Sequence, residues 1–294
     1  MLAGQILNGL VSGAMIALVA IGFTLIIGVL DKLNFNHPEV FMFGGYVGLV
    51  SMQHLPVGWA FVAAFAVGGL LGLLTEWVAF RRFRGADTHT TAALSSLALG
   101  LILTDLIHKS WGTEPLRLGG QPGWLSGSFS LMGVNFLNLQ LLLLGVMVLL
   151  MMALHHLIAN TAAGRQIRAV AESPDFASLL GVNVLRVNQI VFFVSSGLAS
   201  VAGLMLALRT DTVQPDIGLT FGLKALAVMA IGGMGDMRGA VVAGLAMGVL
   251  EALLFHWGWG RLGELAVWAA MLATLMLRPA GLFASRHHGR ELRV

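Results

Sequence analysis

Apolar residues run in nine blocks separated by short polar connections, at about 5–30, 38–53, 58–80, 91–110, 136–158, 188–208, 217–233, 239–257 and 263–279. A helix that spans a bilayer needs about 20 mainly apolar residues, so each block is a candidate span. The pattern predicts an all-α integral membrane protein of about nine transmembrane helices (eight to ten), forming one domain over residues 1–294. Blocks 38–53 and 217–233 are short and interrupted by glycines. Each can be a broken or re-entrant helix. The first block has no Lys or Arg ahead of it and no A-x-A cleavage pattern, so it is read as a retained span rather than a signal peptide.

Composition sharpens this picture. The chain is 57% hydrophobic and 11% charged, whereas soluble domains carry about 25% charged residues. So little polar surface leaves lipid to cover the rest. The same hydrophobicity excludes a disordered chain. No cysteine is present, which removes disulfides and thiolate metal sites.

The net charge of +3 is explained by loop charges, without nucleic acid. With the N-terminus outside, Lys32, Arg81, Arg82, Arg84, Arg165, Arg168, Arg186, Arg238, Arg278, Arg286, Arg290 and Arg293 fall on one side. Only Lys109, Arg117, Arg209 and Arg261 fall on the other, and Lys224 stays within a span. The richer side is cytoplasmic by the positive-inside rule. Trp59, Trp111, Trp257 and Trp259 then lie near outer helix ends, as an aromatic belt requires. The outer connection 111–135, with Gly119, Gly120, Pro122 and Gly123, reads as turns.

The longest inner connection, 159–187, carries helix signals. Ser173 suits an N-cap, Pro174 the first helical position, Asp175 the helix dipole and Gly181 the C-terminal stop. Phe176, Leu179 and Leu180 form an apolar side. A preceding helix over Arg165–Glu172 would face Ile167, Val170 and Ala171 one way. Such a segment either rests on the membrane surface or docks into a groove of a cytoplasmic partner.

From Gly164 to Asn183 the residues resemble the coupling loop of LivH-type permeases of branched-chain amino acid ABC importers: a Gly-Arg start, a central Ala-Glu, and a closing Ala-Ser-Leu-Leu-Gly-Val-Asn. Ile21 to Gly28 followed by Leu33 to Tyr46 is similar to the family's first motif, and Lys224 to Ala240 to its Gly-rich late motif. The resemblance runs from about residue 4 to 283. It implies a permease driven by two separate ATP-binding subunits acting on Gly164, Arg165, Arg168, Ala171, Glu172, Phe176, Leu179 and Gly181. It also implies a homologous second permease subunit and a periplasmic binding protein, and no cofactor held by this chain. Asn36, Pro38 and Asp236 stand where the family usually has Ala, Gly and Ser or Thr. These departures leave the substrate open. A stand-alone channel or secondary transporter for urea or an amide is the alternative reading.

The stretches His37 to Gly44 and Gln214 to Gly222 are alike: proline, a carboxylate, a β-branched residue, then Phe-Gly. Each opens one of the short blocks, Pro38 at the inner face and Pro215 at the outer. Broken segments at opposite faces are what an inverted repeat places around a transport site, although proline followed by an acid is also a generic helix start. The candidate pathway is Asn34, His37, Glu39, Gly44, Asp216, Gly222 and Lys224. Glu76, Asp105 and Glu251 are further ionisable groups within spans, each costing about 2.5–3.5 kcal/mol at a helix centre. Asp105 can pair with Lys109, and Glu76 can reach Arg81 or Arg82. The Gly232–Gly235 turn lacks the Gly-Lys-Ser/Thr ending of a phosphate-binding loop. The paired glycines Gly68 and Gly72, and Gly244 and Gly248, read as close-packing sites.

Overall fold

The computed structural model describes residues 2–83, 88–120, 123–131 and 134–283. Arg84, Arg286, Arg290 and Arg293 of the inner basic count, and Pro122 of the outer connection, lie outside the described residues. Eleven α-helices are described: α1 (Leu2–Leu30), α2 (His37–Met52), α3 (Val57–Thr75), α4 (His89–Trp111), α5 (Asn138–Asn160), α6 (Ala162–Glu172), α7 (Pro174–Leu179), α8 (Val184–Thr210), α9 (Ile217–Gly232), α10 (Met237–His256) and α11 (Gly263–Leu277). A π-helical turn, Glu76–Phe80, extends α3, and a 3-10 turn, Gly260–Leu262, leads into α11.

Seven helices among the described residues are long and apolar enough to cross a membrane: α1, α3, α4, α5, α8, α10 and α11, with their attached turns. The chain is therefore an all-α, multi-pass membrane protein, and of the nine or so helices expected, seven are long enough to cross unaided. The two that fall short are α2 and α9, with 16 residues each. Sixteen residues span about 24 Å at 1.5 Å per residue, against a hydrocarbon core of roughly 30 Å.

Two helices form the axis of the bundle. In α1 and α8, 83% of the most apolar window is buried within the protein, against 17% in α5 and 11% in α11. A helix apolar all round is stable only when surrounded, and glycine lets its neighbours come close. A Cβ on Gly13 would sit 2.6 Å from the Gly244 carbonyl, and one on Gly248 would sit 2.3 Å from the Gly13 nitrogen. At the second crossing a Cβ on Gly68 would meet the Ser200 side chain at 2.2 Å, and one on Gly72 the Phe192 carbonyl at 2.3 Å. Larger residues would force both crossings apart.

The packing keeps its form when α1–α4 are exchanged with α8–α11. Helix α1 packs on α10 as α8 packs on α3, α2 on α8 as α9 on α1, α2 on α3 as α9 on α10, and α2 on α4 as α9 on α11. The two non-glycine residues with positive φ among the described residues, Asp31 (51°) and Asp211 (57°), each follow the end of an axial helix. Both turn the chain towards a short helix.

The 111–137 connection contains more than turns. Strands β1 (Leu116–Arg117) and β4 (Thr212–Val213) pair antiparallel, as do β2 (Ser128–Leu131) and β3 (Val134–Leu137). The first ribbon ties the approach to α9 to the 111–137 connection.

Candidate functional site

Helix α2 begins beside the interior turns of its neighbours rather than at a face. Phe35 N donates to Ser96 Oγ at 3.0 Å, and Glu39 Oε2 accepts from Thr104 Oγ1 at 2.9 Å. Both partners lie well inside α4. His37 Nε2 is 3.3 Å from the carbonyl of Val19, midway along α1. Placing Pro38 at the inner face is therefore corrected: residues 31–36 enter the bundle as non-helical chain, and α2 starts at depth. Irregular backbone at such depth is tolerated only when protein or a wet cavity surrounds it. Lys32, Asn34 and Asn36 are buried here. Asn34 Oδ1 accepts from Asn36 N at 3.1 Å, and Asn36 Nδ2 donates to Thr75 Oγ1 at 2.7 Å.

The start of α9 meets the start of α2. A Cβ on Gly222 would lie 2.3 Å from Pro38 Cβ, and one on Gly218 would lie 2.9 Å from Glu39 Oε2. Gly218 thus leaves room for the half-buried Glu39 carboxylate, and α2, α4 and α9 converge on it. Asp216 is exposed two residues earlier. Side-chain atoms Asn34 Nδ2, Asn36 Oδ1, His37 Nδ1 and Tyr46 OH are buried without a hydrogen-bond partner among the described residues. Asn34 and Asn36, linked by a hydrogen bond, make a polar seam at the entry to α2.

The candidate pathway residues divide. Glu39, Asp216 and Gly222 come together at this convergence, and Asn34 lies in the non-helical chain that leads to it. His37 turns the other way, its ring 4.6 Å from that of Phe23, in a space left by Gly22. It pins α2 to α1. Gly44 packs on Ser200 of α8 and serves helix contact. Lys224 pairs with Glu251 of α10 at 3.0 Å, both side chains mostly buried. Sequence reasoning missed Thr75, Ser96, Thr104 and Gly218. Single polar residues within apolar helices were the signal available for the first three. Asp105 and Lys109 form the expected i,i+4 pair at 2.6 Å. Glu76 is buried inside the bundle and lines a cavity of about 270 Å³ with Lys32. The described residues contain no group of three or more His, Cys, Asp or Glu able to hold a metal.

The connection 161–183 folds as its caps require. Ser173 Oγ accepts from Phe176 N, Pro174 opens α7, and Gly181 takes a φ of 83°. Thr161, not anticipated, caps α6 by accepting from Gly164 N at 3.0 Å. Ile167 and Val170 are buried as expected, but Ala171 is exposed, a correction to the predicted apolar side. Arg168 donates to the Ile158 carbonyl, satisfying the open C-terminal end of α5. A Cβ on Gly164 would meet the carbonyls of Ile158 and Leu157 at 2.2 and 2.3 Å. Glycine is needed for α6 to lie this close to α5. Phe176, Leu179 and Leu180 are 71%, 81% and 82% exposed, while Arg165 and Glu172 also face outward.

Seven long apolar helices packed around buried polar groups define a multi-pass membrane protein. The family described as the permease component of branched-chain amino acid transport systems matches residues 5–278. The high-affinity branched-chain amino acid transport system permease protein LivH of Salmonella typhimurium is 31% identical over 292 residues, covering 95% of this chain and 94% of that protein. LivH of Escherichia coli K12 is likewise 31% identical with the same coverage. BraD of Pseudomonas aeruginosa, carrying the same description, is 30% identical, again over 95% of this chain and 94% of that protein. The chain belongs to the LivH/BraD family of ABC transport permeases. It is a transmembrane transport component, not an enzyme.

Proposed function

We propose that the chain forms part of the path by which branched-chain or related amino acids are imported across the inner membrane. A homologous second permease subunit would complete the path, two ATP-binding subunits would drive it, and a periplasmic binding protein would deliver the substrate. The observation that carries this reading is α7. It is capped at both ends and anchored through α6 to α5, yet presents Phe176, Leu179 and Leu180 to the outside. A rigid element with an exposed apolar face suits a mechanical contact with a partner's groove. A stand-alone channel has no need of one.

The N-terminus is placed outside and the C-terminus in the cytoplasm, so that α6 and α7 face the ATPases. Residues 31–36 with α2, and 211–216 with α9, would complete nine crossings as broken helices. The exchangeable packing of α1–α4 and α8–α11 supports an inverted repeat, as do the matched turns at Asp31 and Asp211. Such repeats carry their substrate site where the broken helices meet. There Glu39, Asp216 and the seam around Asn34 and Asn36 would line the path. Leaving a buried polar atom unpaired costs about 1–3 kcal/mol, a cost that a wet path removes. The Glu39 carboxylate suits the ammonium group of an amino acid.

Tagging the chain in its own host and purifying it in mild detergent tests the assembly. Recovery of ATP-binding subunits and a second permease is expected. Recovery of the chain alone, still active in facilitated uptake of urea or an amide, would favour the channel.

A further inference from the structure

A second cavity lies apart from the polar seam, between α1, α5 and α10. It measures about 900 Å³ and is walled by Ile21, Met147, Met151 and Leu245, among other apolar groups. At one end the lining changes character, to His155, Arg168, Asp236 and Arg238. That end is the C-terminal end of α5 and the N-terminal end of α10. In the orientation proposed above it is the cytoplasmic headgroup level.

We infer that this groove holds an anionic phospholipid of the inner leaflet. The apolar length suits acyl chains, and methionine walls adapt to flexible hydrocarbon because the thioether side chain is itself unbranched and polarizable. The charged end specifies the headgroup. Arg168 and Arg238 are both exposed, and His155 stands beside them. The one carboxylate in the lining, Asp236, is engaged as the N-cap of α10, accepting from Gly239 N at 3.0 Å. The balance left for a ligand is positive, which fits a phosphate diester. Basic pockets between membrane helices on the cytoplasmic side recognise anionic headgroups in this way. Arg168 belongs to α6 and also holds the end of α5, so a lipid here would bridge the membrane to the element that supports α7. The groove would thereby make α6 sensitive to lipid composition.

Native mass spectrometry of the full chain, titrated with phosphatidylglycerol and with phosphatidylcholine of identical acyl chains, tests this. Phosphatidylglycerol should bind at least tenfold more tightly. Each basic residue near an anionic headgroup contributes about fivefold in affinity, so Arg238→Gln should lose roughly that for phosphatidylglycerol and leave phosphatidylcholine unchanged. Val241→Trp, which fills the groove, should weaken both lipids. Equal affinity for the two lipids would overturn the proposal, as would phosphatidylglycerol binding that neither variant weakens. If neither lipid binds in the intact complex because a second permease covers the groove, the proposal also fails.

Discussion

The exposed face of α7 gives the sharpest prediction. Phe176→Ala and Leu179→Ala remove side chains that are 71% and 81% exposed, so neither change opens a cavity in the chain itself. Alanine also has the highest helix propensity, and α7 should keep its form. Full burial of a Phe or Leu is worth about 1.5–3 kcal/mol. With most of each side chain left to bury in a partner, each truncation should remove about 1–2 kcal/mol of docking energy. Together they should weaken ATPase binding by roughly thirty-fold to several-hundred-fold. Expression and thermal stability should not change, which separates docking from folding. The assay is substrate-stimulated ATP hydrolysis in the reconstituted complex, with co-purification of the ATPase measured in parallel. Unchanged stimulation and unchanged co-purification in the double variant would show that α7 does not carry the contact.

Three other outcomes follow from the geometry. Gly164→Ala should lower the melting temperature and reduce uptake, since its Cβ would strike two backbone carbonyls of α5 at 2.2 and 2.3 Å and overpacking of this kind costs about 1–3 kcal/mol; thermal denaturation in detergent reads it. Glu39→Gln should cut uptake by about tenfold or more while ATPase co-purification stays normal, because a hydrogen bond to a charged group is worth about 1.5–3 kcal/mol; Thr104→Val should show a weaker form of the same loss in transport assays. Lys224→Met should destabilise the chain by about 1–3 kcal/mol, discounted for the pair's partial exposure and for Arg209, which lines a pocket with Glu251; adding Glu251→Gln should recover most of the melting temperature.

The long spans were legible because lipid leaves only one arrangement for 20 consecutive apolar residues: a helix with its backbone satisfied internally. The short helices were legible only as doubtful. Glycines and prolines marked 38–53 and 217–233, but the depth at which α2 begins depends on Ser96, Thr104 and Thr75, which lie 39 or more positions away. No local pattern reports such partners. The pairing of Lys224 with Glu251 failed to show for the same reason, across 27 positions. Caps behaved oppositely. Ser173, Pro174 and Gly181 act on neighbours within a few residues, so the sequence alone placed α7 correctly. Asp236 caps α10 by accepting from Gly239 N, a local bond of the same kind. Ala171 was misplaced because it sits at the boundary of the buried stripe of α6, beside Val170. The β1–β4 ribbon was missed because two-residue strands pair across nearly a hundred residues without any alternation to announce them.

This permease should move amino acids only when ATPases drive it. Uptake of labelled leucine, isoleucine and valine into proteoliposomes tests it, using the complex purified with its second permease, ATP-binding subunits and binding protein. Accumulation above the external concentration is expected with ATP and binding protein together, and none when either is left out or when the chain is reconstituted alone. Equilibrating uptake by the chain alone, indifferent to ATP, would contradict the account.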